Sequence, residues 1–382
     1  MYYLILLTAM VSPDDTIKLA EENASKLQDA TNIRYLSCYD VDEKDNCLSV
    51  VSFVLNSLSK KSKIVKPVFT DASKLVIKFD LHDYGFTNYK VLGNDKVFKN
   101  NKKLAELTNS ENPIVGAKWF IVNAMTAPTY YKLLNVNNID EFKKKYGVNN
   151  EVGKQAAIII NGKGAINTRK FTRVPIADGV LWISYDMQKD NDYIKNLLSE
   201  KFDEVTAIAS NPNGLLSYFA GDSSGKAIDY LSADISVDVS KNFGHDGLVR
   251  VARNCVACHD KGIVHFEDDI RKFLNRKDFA IISDKADGIK SLFGGKLPIE
   301  KDQNNYIASL EKTIDMKSED FTEKFVGIWK DYYADVSLEK AANEFGQSVE
   351  EFKEMCKQSN NYYLLNLFIS GKISRRKFEE VK

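Results

Sequence analysis

The residues of this chain best placed by type and spacing to do chemistry lie in one short segment, Arg253-Asn254-Cys255-Val256-Ala257-Cys258-His259. It contains Cys-x-x-Cys-His, the spacing through which haem c is attached. Two thiols three positions apart share one face of a helical turn, where they can add across the two vinyl groups of one porphyrin. His259 follows at once, so its ring can turn under the macrocycle and ligate the iron as the proximal base. Other readings compete for the same residues. Zinc wants four N/S ligands, and Cys255, Cys258 and His265 with Cys356 or His245 could supply them, but a second paired cluster is lacking. A thiol-disulfide redox pair belongs at a helix start after a strand in a βαβ unit, which the neighbourhood does not suggest. Chance co-occurrence on a structural helix is the last.

A haem iron also offers a sixth position. Met316 is the expected distal ligand, because it lies in a connecting stretch between a helix ending near Lys312 and one starting near Asp320. Met355 sits inside an amphipathic helix and reads as core, and Ile263 has no donor atom. The remaining histidines, His82, His245 and His265, would give a bis-His centre, but each fits a surface or hydrogen-bonded role as well. With no such ligand, the iron is open to a small molecule. Arg253, with Arg250 one turn earlier, could pair with the haem carboxylates or solvate a helix face. Trp119, Trp182 and Trp329 read as core, with Trp182 and Tyr185 able to pack on an exposed haem edge. Asp80, Asp83 and Asp186 lack a partner base or metal spacing and read as structural. Gly162-Lys163-Gly164 is a turn, not a phosphate loop.

The elements that must position these residues change in texture along the chain. Ser12, Pro13, Asp14 and Asp15 read as an N-cap, a first-turn proline and first-turn acids. Ile17, Ala20, Ala24 and Leu27 follow at helical spacing, and Cys47 to Leu58 repeats the pattern. Val68 to Phe69 and Leu75 to Phe79 look like short strands. A Lys/Asn-rich stretch from Gly93 to Pro113 reads as a loop or weakly ordered insertion. Strands are expected at Ala156 to Ile160, Val180 to Asp186, Val205 to Ser210, Leu215 to Ala220 and Lys226 to Tyr230. Asn211-Pro212-Asn213-Gly214 and Asp222-Ser223-Ser224-Gly225 turn between the last three. From about Lys241 onward the pattern is helical, near 266–275, 302–313, 319–333, 336–345, 348–358 and 361–370. The fold class is therefore α+β: a mixed N-terminal part (13–150), an antiparallel β meander (151–240) and a helical haem c region (241–382).

Taken together, these segments resemble a family of bacterial proteins, frequent in planctomycete-type genomes, described as c-type cytochrome domain proteins. The resemblance runs from about Ile33 to the end. It rests on Ile33-Arg34-Tyr35-Leu36-Ser37, Leu55-Asn56-Ser57-Leu58-Ser59 and Asp80-Leu81-His82-Asp83-Tyr84-Gly85-Phe86. It continues through Ala117-Lys118-Trp119-Phe120-Ile121, Trp182-Ile183-Ser184-Tyr185-Asp186, Pro212-Asn213-Gly214-Leu215 with Tyr218, Cys255 to Gly262, and Ala341-Ala342-Asn343-Glu344-Phe345-Gly346. The chain departs where the family usually has Arg and Trp in place of His82 and Phe86, and Met in place of Ile263. The resemblance implies one covalent haem c and brings no known reaction with it.

Composition bounds the rest. With 382 residues, 44% of them hydrophobic, the chain can bury more than one core. The 53 basic and 53 acidic side chains cancel and alternate, which argues against nucleic acid as a partner. Tyr2 to Val11, about ten apolar residues, is too short to span a bilayer and can be a signal-peptide core or a buried strand. Residues 1–12 are accordingly a candidate signal peptide. Cys38 and Cys47 are either a local disulfide or two buried thiols, and Cys356 is left over. The expected function is single-electron transfer by one haem in the periplasm or another extracytoplasmic space, with a redox partner protein. A haem enzyme or small-ligand sensor with an open distal site, or a structural zinc protein, are the alternatives.

Overall fold

Ser12 starts the first helix as its residue pattern demands: its hydroxyl accepts the Asp15 N–H while the Asp15 carboxylate accepts the Ser12 N–H, with Pro13 at the first helical position. The computed structural model describes residues 12–39, 41, 43–98, 100–148, 153–159, 168–187, 202–233, 235–240, 243, 247–270, 286–345, 347–358, 362–368, 371–373 and 378. Residues 1–11 of the candidate signal segment, Gly162-Lys163-Gly164, His245 and the second half (271–275) of the expected helix at 266–275 lie outside them, and the described residues 266–270 are not helical.

The N-terminal part comprises α1 (Pro13–Ala24), β1 (Ile33–Ser37), α2 (Lys44–Ser57), β2 (Val68–Phe69), β3 (Val76–Asp80), α3 (Leu81–Tyr84), α4 (Lys102–Thr108), β4 (Ile114–Gly116), α5 (Ala117–Ala124), α6 (Ala127–Leu134) and α7 (Ile139–Lys145). Its sheet has the order β2-β3-β1-β4, with β1 antiparallel to β3 and parallel to β4. Strand alternation sends Tyr35, Val76 and Ile114 to the α1 side, where Ile17, Ala20 and Ala24 meet them. Their neighbours Leu36, Ile77 and Val115 face the core that holds α2 and α5. The Gly93 to Pro113 stretch is not the loop its composition suggests. It carries a short 3-10 turn at Lys96–Phe98 and α4, because its few apolar side chains converge: Phe98 and Leu104 are buried against α1.

The middle strands β5 (Gln155–Ile159), β6 (Thr168–Ile176), β7 (Gly179–Met187), β8 (Glu204–Ser210) and β9 (Leu216–Asp222) form an antiparallel meander in sequential order. Four of these match the expected strands, whereas β6 is unheralded and Lys226 to Tyr230 makes only isolated bridges. β6 hides from a hydropathy reading because Arg169, Lys170, Arg173 and Pro175 interrupt its apolar residues. One face of the sheet carries Leu181, Ile183, Val205, Ala207 and Phe219 and packs on Tyr131, Ile139 and Phe142 of α6 and α7. Arg169, Arg173, Trp182, Asp186, Thr206, Ile208 and Tyr218 occupy the opposite face, as the strand register requires.

Beyond the meander come α8 (Arg253–Cys258), α9 (Ala286–Phe293), α10 (Ile299–Ile314), α11 (Ser318–Tyr333), β10 (Val336–Ser337), α12 (Leu338–Glu344), α13 (Val349–Gln358), α14 (Tyr362–Leu367) and β11 (Lys372–Ile373). The fold is α+β. Its main core joins all three stretches of the chain: Phe53 of α2 lies 4.7 Å, ring to ring, from Phe321 of α11, and β9, α8 and α10 contribute to the same cluster. The C-terminal elements close a separate cluster around Phe352, Cys356 and Phe368. No helix among the described residues is long and apolar enough to cross a membrane.

Cys38, just after β1, and Cys47, in the first turn of α2, form a disulfide with both residues fully buried. It closes a loop of nine residues in sequence separation and ties the sheet to the helix. Replacing both cysteines by alanine is expected to lower unfolding free energy by about 2–3 kcal/mol in a denaturant titration. Unchanged stability, or the full complement of free thiols in unreduced denatured protein, would contradict the bridge.

Candidate functional site

The helix carrying the two thiols begins at a strained turn. Ala252 has φ 68° and ψ −72°, and Arg253 N–H donates to Val251 O at 3.0 Å, which is a γ-turn of the uncommon hand. From there α8 runs to Cys258 and ends at His259. Asn254 is buried and fixes the turn from within: its Oδ1 accepts from Arg250 N–H at 2.9 Å and its Nδ2 donates to Asp238 at 2.8 Å. Arg253 is buried as well, its guanidinium stacked over Trp329 at 5.0 Å and Tyr333 at 5.9 Å. That contact clamps α8 to α11 and keeps Arg253 out of the cleft described below.

His259 is oriented from its other side. Nδ1 lies 2.9 Å from Gly262 O, and since a carbonyl can only accept, Nδ1 carries the proton and Nε2 keeps its lone pair. Gly262 adopts φ +86°, and a Cβ there would come within 3.3 Å of Tyr306, so both conformation and space call for glycine. Gln303 donates to Ile263 O at 2.7 Å, which seats the same turn on α10. α10 is in turn held to the sheet by Asp302, which accepts from Arg173 Nε at 2.8 Å, Arg173 Nη2 at 2.9 Å and Trp182 Nε1 at 2.9 Å. Burial pushes the His259 imidazole below its ordinary value and favours the neutral ring.

Between α8 and the face of the meander that carries Arg169 and Trp182 lies a cleft of about 120 Å³, lined by Cys255, Cys258 and His259 against Thr206, Ile208 and Tyr218. The Tyr218 and His259 rings are 6.1 Å apart. The described residues 229–233, 235–240 and 247–251 form a strap beside the cleft, with Leu231 N–H donating to Val249 O and Asp238 N–H to Gly247 O. Arg169 also lines it, bonded through Nε to Asp186 at 2.5 Å and through Nη2 to Ile235 O of the strap at 3.2 Å.

Both motif cysteines are free thiols, although a disulfide forms elsewhere in the chain. Burial pushes Cys255 up to about 12 and also raises Cys258, so neither is disposed to become a thiolate. A thioether carries no charge and suits this buried position. The donor set therefore fits haem c: two neutral thiols on one face and an imidazole with Nε2 available. The enclosed room is less ample, since 120 Å³ lies below the roughly 300–1,000 Å³ of small-molecule pockets. It can seat only part of a macrocycle.

Other expected site residues lie elsewhere. Met316 follows α10, half-buried against the main core, and does not line the cleft. Met355 and Cys356 belong to the C-terminal cluster, which separates Cys356 from the motif thiols. His82 and His265 are exposed and away from the cleft lining. No three His, Cys, Asp or Glu side chains converge on a common metal position among the described residues. Trp182 and Tyr185 point to opposite faces of β7, so they cannot share one haem edge; Trp182 is bound to Asp302 instead. Asp80 caps α3 by accepting the His82 N–H at 2.8 Å, and Asp186 pairs with Arg169. Sequence reasoning missed Asn254, Arg169 and Asp302. Asn254 sits inside the motif segment and could have been noticed as a polar residue at a helix start, whereas the other two find partners far along the chain.

No protein-family model, curated protein or solved structure matches this chain.

In chain produced without haem, nitrogen NMR at pH 7 is expected to show His259 neutral, with the proton on Nδ1. Because its folded value lies below the ordinary 6.5, the stability tied to the neutral ring is complete above that pH and is lost as pH falls through the folded value. A ring charged at pH 7, or protonated on Nε2 alone, would contradict the geometry.

Proposed function

We propose that this chain is a c-type haem protein of the cell envelope that passes single electrons through one haem attached at Cys255 and Cys258 and ligated by His259. One observation carries the reading: the two free, neutral thiols and an imidazole whose Nδ1 is tied to Gly262 O line a common cleft. The thiols' role is redox-neutral, each S–H adding across one vinyl C=C to make one C–S and one C–H bond. When bound, the haem supplies iron that cycles between ferric and ferrous states. His259 would offer Nε2 to the iron, and Gly262 O holds the ring through Nδ1. The Cys38–Cys47 disulfide supports an oxidising compartment, where c-type attachment takes place. The resemblance to planctomycete-type cytochrome c domain proteins points the same way, and a separate redox protein is the proposed partner.

A second reading has its own support. Among the described residues lining the cleft, none besides His259 is a His or Met, so the sixth position can be open to a small ligand, as in a haem enzyme or sensor.

Protein made with the c-haem maturation machinery should exceed the polypeptide mass by one haem, on the order of 600 Da, after acid-acetone extraction. Cys255→Ala with Cys258→Ala should abolish this covalent haem. A bare-chain mass would overturn the reading.

The Met316→Ala variant separates the two functional classes. With Met316 as sixth ligand, ferric wild type shows a weak charge-transfer band at roughly 695 nm that the variant loses, and the variant gains carbon monoxide binding. With an open site, wild type already binds carbon monoxide and cyanide, and Met316→Ala behaves identically.

A further inference from the structure

Between α2 and β2 the chain reads Lys60-Lys61-Ser62-Lys63-Ile64-Val65-Lys66, four lysines in seven residues with no acid among them. Such lysines ordinarily just cover surface. Here the backbone beneath them is fixed. Asn56, fully buried near the end of α2, donates from Nδ2 to Val65 O at 2.7 Å and accepts the Val65 N–H on Oδ1 at 3.0 Å. The Tyr84 hydroxyl donates to the same Val65 carbonyl at 3.0 Å. At the other end, Lys60 N–H donates to Tyr84 O at 3.1 Å and Lys61 N–H to Ser59 Oγ at 3.1 Å. The loop is pinned at both ends, and its lysines project from a fixed base.

Two adjoining hollows lie along this loop. One, of about 310 Å³, is lined by Lys61, Lys63 and His82; the other, of about 250 Å³, by Lys66, Lys78 and Val68 of the edge strand β2, and Val65 and Asp83 border both. Lys66 pairs with Asp315 at 2.7 Å, but Lys60, Lys61, Lys63 and Lys78 form no ion pair among the described residues. Lys145 of α7 adds to the positive field: burial first, and Lys60 second, push its ammonium down to about 8. The groove is not uniformly basic, however. Asp80 and Asp83 stand within it, and Val68 is 51% exposed. A uniform polyanion would meet those two carboxylates, whereas a polypeptide can set acidic, apolar and donor groups in turn against the lysines, Val68 and the aspartates.

We propose that the groove along Lys61, Lys63 and Lys78 docks an acidic polypeptide segment that also carries apolar side chains. None of its lining residues borders the cleft at Cys255, so this docking is independent of the haem reading.

The test is fluorescence anisotropy of a short labelled peptide in which Glu and Val alternate, titrated with the full-length chain. Binding is expected at low ionic strength and should weaken as salt rises past about 0.1 M, where the screening length is roughly 10 Å. Lys61→Glu with Lys63→Glu should weaken it about tenfold or more. Lys63→Gln, which only removes a charge, should give a smaller loss in the same direction, and circular dichroism checks that every variant is folded. Lys301→Glu with Lys330→Glu makes the same change in net charge at exposed sites on α10 and α11, and should leave binding within about twofold of wild type. No peptide binding, equal losses in the two double variants, or tighter binding of inorganic polyphosphate of equal charge would overturn the proposal.

Discussion

Asp302 links the two halves of the site, because the helix it begins to anchor is the one on which the His259 turn rests. It accepts from both Arg173 and Trp182 on the cleft face of the meander, and it is only 5% exposed. A buried carboxylate needs such partners; stripping one from a buried pair typically costs about 3–5 kcal/mol. With Asp302 satisfied, α10 lies flush on the sheet, Gln303 reaches Ile263 O, and Tyr306 closes against Gly262. The imidazole orientation follows from that chain of contacts.

The meander makes this arrangement necessary. One face of its strands is buried by α6 and α7, with α9 over β5, and the other face carries charged and aromatic side chains that also must be covered. Arg173 finds Asp302, Arg169 finds Asp186, and Trp182 finds Asp302, so the charged groups of this face are paired, whereas Ser184 Oγ and Tyr218 OH meet no partner among the described residues. The remaining gap, bordered by Ile208, Tyr218 and the strap, is where the thiols and imidazole emerge. A neutral thioether is compatible with that setting, and a thiolate is not favoured in it.

Features set by neighbouring residues were legible in the sequence. The Ser12 cap, the helix at α2, the hairpins around Asn211 to Gly214 and the amphipathic helices α10 and α11 all arise from spacings of a few residues. The Cys38–Cys47 bridge was only half legible: the spacing allowed it, but the decision depended on the chain turning back from β1 into α2. Three misjudgements share a cause. β6 and α4 are rich in charge, and their membership in the fold depends on partners brought from distant segments, as Arg173 and Asp302 show across 129 positions. Likewise, Arg253 looked available because a helix pattern cannot reveal that Trp329 and Tyr333 will stack on its guanidinium.

The central claim is that Cys255 and Cys258 hold the haem, and it is open to a direct measurement. Trypsin cutting after Arg253 and Lys261 releases a peptide from Asn254 to Lys261 that contains both thiols and His259. In protein made with the c-haem maturation machinery, tandem mass spectrometry of that peptide should find both cysteines modified by one haem, on the order of 600 Da. Recovery of the peptide with two free thiols, or with a disulfide between them, would contradict the account.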